Sequence, residues 1–111
     1  MMRRRALMKG SIDYLLLSLI SQQPMYGYQI LKELEGRSQG YFKFKEGTLY
    51  PALHRLERAG LLVGGWRALS GGRQRRYYHI TENGHSVLVE RRAQWQDFFV
   101  AMNLIIQPVN P

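Results

Sequence analysis

Two stretches of the chain carry residue types that could do chemistry. Lys45–Leu62 reads KEGTLYPALHRLERAGLL, and Gly71–Thr81 reads GGRQRRYYHIT. Both are cationic and aromatic, which suits binding to a polyanion rather than bond-making. In the first, Leu49, Leu53 and Leu56 lie four and three residues apart, the spacing of one helix face. The opposite face carries Gly47, Pro51, His54 and Arg58, flanked by Thr48 and Arg55 on one side and Tyr50 on the other. Glu46 and Glu57 fall toward the apolar side, so no carboxylate sits at the centre of the outer face. A short helix of this kind suits a DNA major groove. Taken alone, it is more often an ordinary surface helix with solvated basic residues. In the second stretch Arg73, Arg75 and Arg76 follow two glycines, near the tip of a predicted hairpin. Basic hairpin tips also serve to block edge pairing. The position directly behind a candidate groove helix favours a functional role.

Enzymatic chemistry finds little support. His54, His79 and His85, with Asp13 and Asp97, are scattered, and cysteine is absent. His79 and His85 straddle a strand–helix junction, a poor metal-ligand spacing. No glycine-rich loop follows a strand in the phosphate-cradling pattern. The expectation is no enzyme, no cofactor and no metal. Without cysteine no disulfide framework is possible, which fits a reducing cytoplasm. The longest apolar run in the first half is Leu15–Leu17, far short of a membrane span. The start, with Arg3, Arg4 and Arg5, lacks the cleavage pattern of a signal peptide, so a soluble cytoplasmic protein is expected.

The formal net charge of +8 is uneven. Residues 41–80 hold eight basic and two acidic groups, whereas residues 81–111 hold two and three. So basic a middle block implies nucleic acid first and a membrane surface second as partner.

The elements that must position these residues follow in order. Residues 1–9 are a basic arm. Ser11 is placed to cap a first helix, buried through Ile12, Leu15, Leu16 and Leu19 and ended by Gln22, Gln23 and Pro24. Tyr26, Gly27 and Tyr28 open a second, with Ile30, Leu31 and Leu34 inside and Gly36 as its C-terminal stop. Tyr41–Lys45 alternates aromatic and basic residues, as a short extended segment does. In the third helix Pro51 lies near the start, where a missing N–H is tolerated, and Gly60 ends it. Two strands around a Gly71–Gly72 turn form the hairpin, with Arg75, Tyr77 and His79 on one face and Arg76, Tyr78 and Ile80 on the other. Thr81 caps a last helix running to about Ile106, ~39 Å at ~1.5 Å per residue. Leu88, Trp95, Phe98, Met102 and Ile105 recur along it, widened by Phe99 and Ile106. That apolar stripe needs a partner, most simply the same helix from a second copy.

The order is α+β, mainly α: a winged helix-turn-helix with a long C-terminal dimerisation helix. The expected division is an arm over 1–9, a DNA-binding domain over 10–80 and the dimerisation helix over 81–107. At this point the sequence strongly resembles the PadR family of bacterial transcriptional regulators, from about Gly10 to about Met102. The resemblance is carried by Tyr26, Gly27, Tyr28 and Ile30, by GTLYPALHRLERAGLL from Gly47 to Leu62, by GGRQRRYYHIT from Gly71 to Thr81, and by Gly84. A single C-terminal helix looks like the short branch of that family.

The resemblance implies a homodimer that binds an inverted-repeat operator and usually represses a nearby promoter. The third helix then enters the major groove, with Thr48, Tyr50, His54 and Arg55 as candidate base or phosphate contacts. Arg73, Arg75 and Arg76 meet backbone phosphate or the minor groove, and Tyr26, Tyr28 and Lys45 fix register on phosphate. Some short relatives bind flat hydrophobic compounds between subunits beside a tryptophan, and Trp95 stands at the matching place. Leu88, Trp95, Phe98, Phe99 and Met102 are therefore expected at a dimer interface that accepts a planar aromatic or phenolic effector. A plain packed dimer core is the alternative. The rival function is a winged-helix module for protein or RNA contact without operator specificity, which the fold alone leaves open.

Overall fold

Helix α1, Ile12–Gln22, is the centre of the molecule: the two helices that follow it, the second strand of the hairpin and the C-terminal helix all pack on it. A helix with neighbours on several sides buries more than one stripe. Leu17 and Ile20 are accordingly buried with the expected Ile12, Leu16 and Leu19, while Leu15 is half-buried. The computed structural model describes residues 11–106, so the arm expected over residues 1–9 lies outside the described residues. Ser11 stands at the N-cap and is buried, yet its side chain makes no capping hydrogen bond to the helix. Gln23 turns to extended backbone and α1 stops at Gln22.

Met25–Tyr26 forms β1, a third strand that the sequence did not signal because two residues carry no periodicity. Helix α2 then runs Gly27–Arg37. It continues through Gly36, contrary to expectation. The left-handed positions lie further on, at Gln39 (φ 53°) and Gly40 (φ 84°), where the Gly40 N–H reaches the Glu35 carbonyl at 2.8 Å. Between α2 and α3 the chain forms no strand, though its aromatics alternate as expected: Phe42 and Phe44 are half-buried, Tyr41, Lys43 and Lys45 exposed.

Helix α3 spans Glu46–Arg58, with Leu49, Ala52, Leu53 and Leu56 buried. Pro51 is its sixth residue, past the first turn. The carbonyl it leaves without an intrahelical N–H belongs to Gly47, which is exposed, so water can serve that oxygen. Gly60 (φ 77°) ends the helix as expected, and the Leu61 N–H returns to the Leu56 carbonyl at 2.9 Å.

The hairpin consists of β2, Leu62–Ala68, and β3, Gln74–Ile80. The sheet is antiparallel in the order β1-β3-β2. Its connection is longer than a two-residue turn. Ser70–Gly72 makes one 3₁₀ turn, Gly71 and Gly72 have positive φ, and the Leu69 N–H meets the Arg73 carbonyl at 2.7 Å.

Thr81 ties the hairpin to what flanks it. Its hydroxyl donates to the Gly60 carbonyl (2.6 Å) and accepts from the Gly84 N–H (3.0 Å), capping α4 as expected. Helix α4, Glu82–Ile105, is 24 residues long. Its part up to Trp95 packs on α1: Leu88 is 3% exposed, and Trp95 stacks on Tyr14 with centroids 6.0 Å apart. From Gln96 to Ile106 every residue is exposed, although Phe98, Phe99, Val100, Met102, Leu104, Ile105 and Ile106 are large and apolar. Leu88 was expected at the dimer interface. It belongs instead to the core of its own chain, because it precedes the point where α4 leaves the domain.

Candidate nucleic-acid interface

An open cleft of about 660 Å³ lies where the start of α2, the outer face of α3 and the hairpin meet. Tyr26, Tyr28, Tyr50, His54, Arg75 and Arg76, six of the expected contact residues, all line it. Lys45 and Thr48 are exposed at the beginning of α3, and Arg73 is exposed just after the hairpin turn. Tyr28, 57% exposed, has the Lys32 ammonium 5.4 Å from its ring centre. Among the described residues no group of three or more His, Asp or Glu is placed to hold a metal ion, and no helix is long and apolar enough to cross a membrane.

Gly27 lets α2 begin directly against α3. A methyl group there would run into the phenol of Tyr50, so that ring fills the notch a side chain would occupy. Burial, with Glu46 and Tyr78 nearby, pushes the Tyr50 phenol above its ordinary range. It therefore remains a neutral hydroxyl, able to donate a hydrogen bond.

Three of the expected cations are engaged within the chain. Arg76 forms an ion pair and hydrogen bond with Glu57 of α3. Its guanidinium lies over Gly64, where any side chain would displace it, and the Gly64 N–H donates to the same carboxylate at 3.3 Å. This clamp fixes the hairpin at its angle to α3, and Arg76 lines the cleft with a guanidinium that is already paired. Arg55 reaches Asp13 of α1 at 2.6 Å, with Arg91 of α4 3.9 Å from the other oxygen of that carboxylate. Arg55 thus braces α3 against α1 although its side chain is half exposed. Arg75, by contrast, lies over the Tyr26 ring at 3.9 Å.

Two further residues belong to this surface. Trp66 is 62% exposed and lines the cleft, its ring 5.7 Å from the Arg76 guanidinium carbon. In the sequence it closes an apolar run, Leu61 to Trp66. Arg67 sits directly opposite Arg75 in the hairpin. A correct cross-strand register would have set Arg67 beside Arg75. The five-residue connection 69–73 hid that register, since a two-residue turn shifts it by one.

Comparison with known proteins gives the surface its context. The model of the transcriptional regulator PadR-like family matches residues 16–90, which includes most of α1, the cleft and the hairpin. The chain belongs to the PadR-like family. A transcriptional regulator of Mycobacterium tuberculosis, Rv3488, is 35% identical over 88 residues, covering 79% of this chain and 78% of that protein. An uncharacterized protein of Lysinibacillus sphaericus is 32% identical over 106 residues, covering 96% and 97%. The crystal structure of a PadR-like transcriptional regulator from Bacillus cereus superposes with a TM-score of 0.82 at 33% identity, covering 93% of this chain and 98% of that one. PadR-like proteins are winged-helix, DNA-binding regulators of transcription rather than enzymes. The hairpin of this PadR-like chain is thus the wing, and α3 the helix that precedes it.

Proposed function

We propose that this chain is a cytoplasmic repressor that binds an inverted-repeat operator as a homodimer. In this reading α3 enters the major groove. Thr48 and His54 face base edges, with the Tyr50 hydroxyl at the rim and Arg55 braced beside them on Asp13. Lys45, Tyr26, Tyr28, Arg73 and Arg75 hold backbone phosphate and fix the register. The unit over residues 10–80 binds DNA, and residues 81–107 join two copies through the exposed apolar stretch beyond Trp95. Trp95, Phe98, Phe99 and Met102 line the space in which a planar aromatic or phenolic effector would release the operator.

The single observation that carries this reading is the cleft. It gathers residues from α2, α3 and the wing onto one surface, beside exposed cations and without a carboxylate among its lining residues. A surface of that kind follows the backbone of a duplex on either side of a groove helix. The rival reading is a winged helix for RNA or protein, and competition decides between them. At matched salt, duplex DNA is expected to displace a labelled duplex at far lower concentration than single-stranded RNA of equal length. Equal displacement by the two would contradict operator binding and favour the rival.

A further inference from the structure

The outer face of the sheet carries a device with no partner inside the molecule. Residues paired directly across strands share a face. On this face Tyr26 of β1 is opposite Tyr77 of β3, and Arg75 of β3 is opposite Arg67 of β2. The two rings meet edge to face with centroids 5.4 Å apart. Each arginine leans onto the ring of the neighbouring strand: Arg67 lies 4.1 Å from the centre of Tyr77, and Arg75 lies 3.9 Å from the centre of Tyr26. Gly65, opposite Tyr77, leaves that ring uncovered for Arg67 to reach. The result is two guanidinium groups, from residues paired across neighbouring strands, each seated on an aromatic ring of the same face.

Like charges directly opposite each other in a sheet are destabilising. Carboxylates could relieve them, yet among the described residues none lies within ion-pairing distance of Arg67 or Arg75. Arg76, one residue away on the other face, does have its carboxylate, Glu57. The wing therefore neutralises the arginine it uses for its own structure and leaves two uncompensated on the outer face. Guanidinium planes held over aromatic rings keep their edges, and so their N–H donors, free for an anion.

We infer that Arg67 and Arg75, held in place by Tyr77 and Tyr26, form a paired phosphate-binding site for the DNA backbone, and that Arg67 is a DNA contact of the same rank as Arg75. Tyr77 and Tyr26 are positioning residues in it. Tyr26 then acts on DNA through Arg75, which deepens the function proposed above and rests on it.

Affinity for a labelled mixed-sequence duplex of about three helical turns, measured over a range of salt concentrations, tests the site. This probe needs no operator. Arg67→Ala and Arg75→Ala are each expected to lower the steepness of the log affinity against log salt plot by about one, and the double variant by about two. Arg67→Lys keeps the charge and is expected to keep the steepness. Tyr77→Leu leaves both charges and is expected to keep the steepness while weakening affinity roughly two- to tenfold, the cost of ordering a freed side chain. Tyr77→Phe, which retains the ring, restores affinity. Thermal melts of each variant establish that the sheet is intact. An unchanged steepness in folded Arg67→Ala overturns the site, as does Tyr77→Leu with unchanged affinity. A wild-type protein with salt-dependent duplex binding but no preferred sequence would sink operator recognition and leave the phosphate site standing.

Discussion

Replacing Phe98 and Phe99 together by glutamate is expected to leave a folded monomer whose operator affinity has fallen at least about a hundredfold. Both side chains are about half exposed on a single chain, so their loss removes nothing from its core. They stand on the part of α4 where no described residue is buried, within a run of large apolar side chains. A 24-residue helix is about 36 Å long at ~1.5 Å per residue. That length outreaches the domain beside it. If the stretch is closed by a second copy, each glutamate is a charge buried without a partner, and breaking an interface in that way costs about 3–5 kcal/mol. Such a cost takes micromolar dimers apart. Each monomer then holds one half-site without the high effective concentration that linkage supplies to the second. Sedimentation velocity reads the mass and fluorescence anisotropy reads the affinity. A double variant that remains dimeric would show that α4 is not the dimer seam.

Gly84→Ala is expected to destabilise the fold by about 1–3 kcal/mol or more, the range for overpacking a site that cannot yield. A methyl group on Gly84 would overlap the Leu61 carbonyl oxygen and lie 2.7 Å from the Ile80 Cγ1 and 3.1 Å from the Leu61 carbonyl carbon. Two of these neighbours are backbone atoms, and the Leu61 carbonyl is held by the Thr81 N–H at 3.0 Å. Relief therefore requires α4 to move away from the base of the wing, which also pulls the Gly84 N–H from its Thr81 cap. For a domain of 60–100 residues each kcal/mol lowers the melting temperature by roughly 4–8 °C. Thermal unfolding followed by circular dichroism measures the drop. Gly36→Ala is the contrast. Its methyl group would meet nothing within 4 Å in the last turn of α2, so stability there is expected to rise slightly. Equal melting temperatures for the wild type and Gly84→Ala would mean that the junction is looser than its hydrogen bonds imply.

Much of the fold was legible because periodicity and end signals agreed. Leu49, Leu53 and Leu56 marked the buried face of α3, Gly60 its end and Thr81 the start of α4, and each rests on short-range physics that sequence carries directly. What remained hidden depended on contacts between distant residues. Met25 and Tyr26 become a strand only because β3 lies beside them. The single 3₁₀ turn at Ser70–Gly72 lengthens the hairpin connection and thereby pairs Arg67 with Arg75 and Trp66 with Arg76. Within β3 the alternation was correct, but it could not say which face would meet α3. That face carries Arg76, so its ion pair with Glu57 of α3 was not legible in the sequence. The same limit applies to Arg55, whose partner Asp13 is forty-two positions away, and to Leu88, whose periodic spacing fits the core as well as it fits a dimer seam.

Selection of bound sequences from a pool of random duplexes tests most directly whether two copies read one DNA site. The enriched sequences should contain an inverted repeat whose half-sites are centred about one helical turn apart, roughly 34–36 Å, as two α3 helices on a two-fold axis require. His54→Ala should relax the preference at one base pair in each half and leave the spacing intact. A pool that enriches no motif, or only single half-sites without a fixed partner, would contradict a symmetric dimer on an operator.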